Sequence, residues 1–139
     1  MAQSINEVMT PNPVTLPADR SAVDAAELMR DRDIGDIIVM EQNRVMGIVT
    51  DRDIVVRIVA GGQEPAQAKL ADICSKELHT VKPTDPVEEA INLMREKAVR
   101  RILVMDDGSP VGIVSIGDLA VERDRQSALG DISAAPPNQ

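Results

Sequence analysis

Shifting the chain against itself by 65 residues aligns 5–54 with 70–119 without a gap, and 12 of those 50 positions are identical. Thr15, Ala25, Leu28, Met29, Arg30, Ile37, Val39, Met40, Gly47, Ile48, Val49 and Asp53 each recur. Such self-similarity marks an internal duplication, which constrains the fold more than any other feature. The sharpest piece of the repeat is a glycine-led heptad. It reads Gly47-Ile48-Val49-Thr50-Asp51-Arg52-Asp53 first and Gly112-Ile113-Val114-Ser115-Ile116-Gly117-Asp118 second, each followed by an apolar stretch of helical character. Half-domains of this size are marginal alone, so 139 residues are expected to fold as two halves of one body.

The chain has no Phe, Tyr or Trp, although 43% of it is apolar. Its core must be aliphatic and rich in methionine, and a bound base ring would lie between branched side chains instead of aromatic ones. A net charge of −8 argues against nucleic acid as partner, because such proteins need a basic face to displace counterions. One cysteine, Cys74, leaves no internal disulfide, and the amino terminus lacks the pattern of a signal peptide. No apolar run approaches the roughly 18 residues that span a bilayer. The expected compartment is the cytoplasm, with no membrane partner.

Along the chain, Ile5 to Met9 is a short amphipathic piece, and Val14-Thr15-Leu16 an extended one closed by Pro17. Ser21 with Asp24 three residues later forms a capping box opening a helix to Arg32. Ile37 to Met40 and Val45 to Val49 predict a hairpin around the polar turn 41–44, and a helix is expected from Asp51 to Ala60, stopped by Gly61-Gly62. The second half repeats the order: Leu70 to Cys74, Thr80-Val81, a helix from Pro86 to Lys97 with Pro86 in its first turn, Ile102 to Met105, Pro110 to Val114, and a helix from Ile116 to Arg125. The expected divisions are repeat 1 over 1–60, a connection over 61–69, repeat 2 over 70–125 and a largely disordered tail over 126–139. Each repeat is strand, helix, strand, strand, helix, giving an α/β (α+β) fold in which a three-stranded sheet carries two helices.

These residues carry a resemblance. Pro-Val-Thr-Leu opening the first strand, Ala-x-x-Leu-Met on the helix, an Ile-x-Val strand and the twice-occurring heptad resemble a tandem cystathionine-β-synthase (CBS) domain pair, or Bateman module, over residues 3–125. The chain is similar to the stand-alone bacterial class. The resemblance implies a pseudo-twofold pair with clefts between the repeats, adenine nucleotides as ligands, and homodimerisation of modules.

Apart from any family, a hydroxyl before a helix and a carboxylate three residues on satisfy two orphan amides of the first turn, worth about 1 kcal/mol. That role requires no ligand. The functional reading adds that a strand feeding a helix start exposes amide donors to oxygen-rich ligands, and that an ionised Asp can accept both hydroxyl protons of a ribose. Arg100 and Arg101, just before the Ile102 strand, offer two planar forks for phosphate, or they balance nearby acidic residues. Their counterparts in the first half are Gly35 and Asp36, where a carboxylate would repel phosphate, so the two sites are expected to be unequal.

Carried over position by position, the resemblance implies ribose on Asp118 and Ser115, phosphate on Arg100 and Arg101, and the base against Ile113, Val14, Ile34 and Gly35 with Thr10 nearby. A weaker second site would use Asp53, Thr50 and Ile48 with His79 and Val99, and Arg52 as a partial substitute for the missing basic pair. His79 and Cys74 also have ordinary structural readings, and one His with one Cys make no zinc site. No Walker loop, Ser-His-Asp set or dinucleotide motif occurs. The expected function is a regulatory, energy-sensing module that binds an adenine nucleotide, AMP foremost, requires no cofactor, and signals in trans to an unidentified effector protein. The alternative is a ligand-independent CBS-fold dimerisation scaffold. No catalytic residue is assigned, because no convergent set of titratable groups can be assembled.

Overall fold

The computed structural model describes residues 3–125, with side chains to Val121; the tail expected over 126–139 lies outside the described residues. In chain order the elements are α1 (Ile5–Val8), β1 (Thr10–Pro11), β2 (Thr15–Pro17), α2 (Ala22–Arg32), β3 (Asp36–Glu41), β4 (Arg44–Thr50), α3 (Asp51–Asp53, continued by a π-helical turn, Ile54–Val59), α4 (Leu70–Ile73), β5 (Thr80–Val81), α5 (Val87–Lys97), β6 (Arg101–Asp106), β7 (Ser109–Ser115) and α6 (Ile116–Arg125). This is the mixed α/β order expected, and the chain packs as two compact units.

One unit is Pro13–Leu78. Its sheet runs β2-β3-β4, with β2 parallel to β3 and β3 antiparallel to β4. Ser21 accepts from the Asp24 amide at 3.1 Å while the Asp24 carboxylate takes the Ser21 amide, so the capping box forms as the spacing predicts. Gln42 and Asn43 both adopt positive φ, the geometry a two-residue hairpin turn demands. Ala22, Ala25 and Met29 of α2 pack on Ile37, Val39 and Val49 of the sheet, with Ile58, Leu70, Ile73 and Cys74 closing the cluster.

The other unit joins the described residues up to Asn12 to those from His79 onward. Here the sheet has four strands, β1-β7-β6-β5, where three were expected. The added strand is β1, antiparallel to β7 with Thr10 opposite Ile113. Ile5, Val81, Ala90, Met94, Ile102, Val104 and Val114 form the core, so α1 contributes its buried face to this unit.

The extra strand exposes an exchange. Thr10 of the first repeat pairs with Ile113 of the second, and at the matching place Ser75 of the second bridges Ile48 of the first. Each leading segment thus packs in the unit that carries the other repeat's heptad, and the sequence repeats and packed units are different partitions of the chain. The heptad glycines are where the exchanged backbone lies. A Cβ on Gly112 would come to 2.9 Å from the Thr10 carbonyl, and one on Gly47 would collide with the Ser75 carbonyl and come to 2.8 Å from Cys74 Sγ.

A second departure is the helix after the first heptad. The Ala60 amide reaches back five residues to Val55, and Gln63 five to Ile58, so this turn is wider than α-helical. Gly61 fits beneath it because any Cβ there would collide with the Arg57 carbonyl, and Gly62 at φ +71° ends it. Pro86 also sits one position earlier than expected, as the residue preceding α5.

Candidate functional site at the two heptads

Each heptad ends a strand and starts a helix, and both form the same reciprocal box. The Thr50 amide donates to Asp53 Oδ2 at 2.8 Å and the Asp53 amide to Thr50 Oγ1 at 3.1 Å. Ser115 and Asp118 repeat this at 3.0 and 3.1 Å. Both carboxylates are half-buried and spend only part of their acceptor capacity on the box.

The surroundings then differ. In the unit containing the second heptad, the Thr10 hydroxyl faces Asp118 at 3.4 and 3.5 Å, too long for a strong bond. Thr10, expected near a base, stands at the Asp118 carboxylate. Arg100 is held at the helix start because its carbonyl accepts from the Ile116 amide at 2.9 Å, and Arg101 pairs with Ser115 across the sheet. Ile113 is buried on the same strand. The structure therefore collects Asp118, Ser115, Arg100, Arg101, Ile113 and Thr10 in one unit, together with His79 and Val99. The His79 carbonyl accepts from the Leu103 amide at 3.0 Å, as the Val14 carbonyl does from Ile38 at 2.9 Å. Val14, Ile34 and Gly35 belong to the Pro13–Leu78 unit with Thr50, Ile48, Arg52 and Asp53.

Around the first heptad the cation meeting the carboxylate is Arg57. Its Nε lies 3.8 Å from Asp53 Oδ1, and Nη1 donates to the Ile73 carbonyl at 3.3 Å. Arg52 is exposed, and its amide donates to Asp51 Oδ1 at 2.8 Å. The Asp51 carboxylate leans over Gly35, where a Cβ would stand 3.2 Å from Oδ2. Sequence reasoning passed over both Asp51 and Arg57. The signals were present: Asp51 aligns with Ile116, and Arg57 lies four residues after Asp53, the spacing of helical ion pairs.

Beneath this heptad Cys74 is a free thiol, 5% exposed, and burial pushes its pKa up, as befits a core residue. Among the described residues no group of three His, Cys, Asp or Glu side chains could hold a metal ion, and no helix is long and apolar enough to cross a membrane.

Comparison with known proteins agrees with this geometry. The CBS domain-containing protein YhcV of Bacillus subtilis is 35% identical over 127 residues, 91% of this chain and 90% of the relative. Hypoxic Response Protein I, whose crystal structure holds two coordinated zinc ions, superposes with a TM-score of 0.73 at 28% identity, covering 85% of this chain and 97% of that one. A CBS domain pair solved with 5′-methylthioadenosine and S-adenosyl-L-methionine superposes with a TM-score of 0.81 over 91% of this chain and all of its own, at 19% identity, a likeness of fold alone. The family model for the CBS domain matches residues 5–60 and again 70–124. Two strand-to-helix heptads, two family matches and one shared fold lead to one conclusion: the chain belongs to the CBS domain family, as a tandem pair of the kind that serves as a regulatory module.

Proposed function

We propose that this CBS pair binds an adenine nucleotide at the second heptad and reports its presence to an effector protein in trans. The observation that carries the reading is the joining, at one helix start, of a half-buried carboxylate with unused acceptor capacity and an arginine pair. Asp118 and Ser115 would take the ribose hydroxyls, with Thr10 orienting the carboxylate, and Arg100 and Arg101 the phosphate. AMP is the first candidate. Signalling requires only that the ligand bind two arrangements of the pair unequally. The reading includes no catalytic step and no required cofactor, and it places a homodimer of CBS pairs in the cytoplasm.

Without tryptophan or tyrosine the protein is nearly silent at 280 nm, so nucleotide carried through purification would dominate the spectrum near 260 nm. Titration calorimetry with AMP, ADP, ATP, NAD and S-adenosylmethionine then tests binding. Absence of both the 260 nm band and any heat would overturn the proposal.

A second reading has its own support. Each hydroxyl–carboxylate pair already caps its helix, and Val55, Val56 and Val59 leave 58%, 49% and 65% of their surface exposed along one helical turn. A ligand-independent scaffold would use the heptads as caps and that turn as an interface. Light scattering that shows an oligomer unchanged by any of the five ligands, together with silent calorimetry, would favour it.

A further inference from the structure

Each heptad glycine is covered by a sulfur atom from the exchanged segment. Met9 Sδ lies over Gly112, where a Cβ would come to 2.5 Å from it, and Cys74 Sγ lies over Gly47, where a Cβ would come to 2.8 Å. Met9 and Cys74 align in the 65-residue repeat, so both halves put an oxidisable side chain against the strand that leads into a heptad. Their access differs. Cys74 is 5% exposed within the core of its unit, whereas Met9 is half-buried, packed against the cluster of Ile5, Val81 and Val114 with part of its surface open. Met9 also stands where α1 hands over to β1. Its amide closes α1 on the Ile5 carbonyl at 2.9 Å, and the next residue is Thr10, opposite Ile113 and facing Asp118 at 3.4 Å. Because β1 is only two residues long, with one further bond from the Asn12 amide to the Val111 carbonyl at 3.2 Å, its hold on β7 leans on the packing of Met9.

We infer that Met9 is an oxidation site that controls this edge: as the sulfoxide it releases β1 from β7 and withdraws Thr10 from Asp118, in the second-heptad unit alone. Hydrogen peroxide supplies the oxygen. An S–O bond forms as the O–O bond breaks, the thioether sulfur gives up two electrons, and the remaining peroxide oxygen leaves as water. The product is larger and strongly polar. Sδ already fills the space that a side chain on Gly112 would take, and the aliphatic side chains of the adjoining cluster donate no hydrogen bond to the new oxygen. Met40, Met46 and Met105 are half-buried too, but the atoms nearest Gly47 and Gly112 are not theirs.

The test treats the full chain with hydrogen peroxide and maps oxygen addition by peptide mass spectrometry. Met9 should gain one oxygen while Cys74 stays unmodified, and the melting temperature should fall by at least about 4 °C. The Asn12 amide should then exchange with solvent at least about tenfold faster. Methionine sulfoxide reductase with dithiothreitol should restore both, which separates a reversible modification from general damage. Met9→Leu, close to Met in volume, should abolish both changes even though Met40, Met46 and Met105 still take up oxygen. If Met9 stays unmodified while those three are oxidised, or if its sulfoxide forms and Asn12 exchange is unchanged, the inference is overturned. No nucleotide enters either readout, so the outcome is independent of the nucleotide reading.

Discussion

The unit that carries the first heptad and the unit that carries the second are built to one plan, with different charges flanking the two heptads. Their hairpins match residue for residue in register, with a bulge in each at the same place, after Val39 and after Val104. Their boxes match to within about 0.2 Å. What differs is what surrounds each box: Arg57 meets Asp53 in one and Thr10 faces Asp118 in the other, while Asp36 lies opposite Thr50 across the strands and Arg101 opposite Ser115. Packing tolerates little change because its cost appears wherever a methylene is gained or lost, whereas charges at a helix start are partly solvated and free to vary. A duplicated frame can therefore carry different charges without losing its fold.

The comparison breaks most readily at Ile58. It is fully buried in the first unit, while the aligned position in the second repeat is Arg123, so it anchors one π-helical turn and has no apolar counterpart. Ile58→Ala should cost about 2–5 kcal/mol in urea denaturation. The heptad glycines come next. Gly47→Ala would drive a methyl into the Ser75 carbonyl, a backbone atom, whereas Gly112→Ala meets first the movable end of Met9. Both should fall in the range of roughly 1–3 kcal/mol for overpacking, with Gly47→Ala the larger; the reverse order of melting temperatures would show that the exchanged segments are not held alike.

Asp53→Ala and Asp118→Ala sharpen the comparison. Each removes half of a capping box and should cost about 1 kcal/mol of stability. Only Asp118→Ala should weaken AMP, by at least about tenfold, and equal losses would mean that the flanking charges do not discriminate. Smallest is the effect of Cys74, which has Met9 as its counterpart. Burial raises its pKa in the folded protein above that of the unfolded chain, so its contribution is intact below the unfolded value and is lost as pH rises towards the folded one. Stability should decline modestly in the alkaline range, less so in Cys74→Ala. A thiol reagent at pH 8 should label Cys74 only after denaturant is added.

Much of this was legible before any coordinates. Alternating and helical spacings placed α2, α5 and both hairpins, and Ser21-x-x-Asp24, Thr50-x-x-Asp53 and Ser115-x-x-Asp118 announced boxes that all form. Less legible was the turn after Asp53, where a helical pattern is wound with five-residue bonds. Its neighbours Gly61 and Gly62 read as a stop, although only Gly62 ends the turn by its φ, and Gly61 makes room for a carbonyl. Arg52 was legible from its place in the heptad, whereas Arg57, which the helical turn brings to the Asp53 carboxylate, lies outside the heptad.

By itself the chain's order of residues determined the duplication, the local elements and the caps, because each depends on neighbours within a turn or two. Tertiary structure alone decided that Thr10 lies against Ile113 and Ser75 against Ile48. Two repeats with nearly the same strand present nearly the same edge, so no local preference tells a leading segment which of them to join. The choice is made by contacts between residues far apart in the chain, and it is this choice that sets Thr10 beside Asp118.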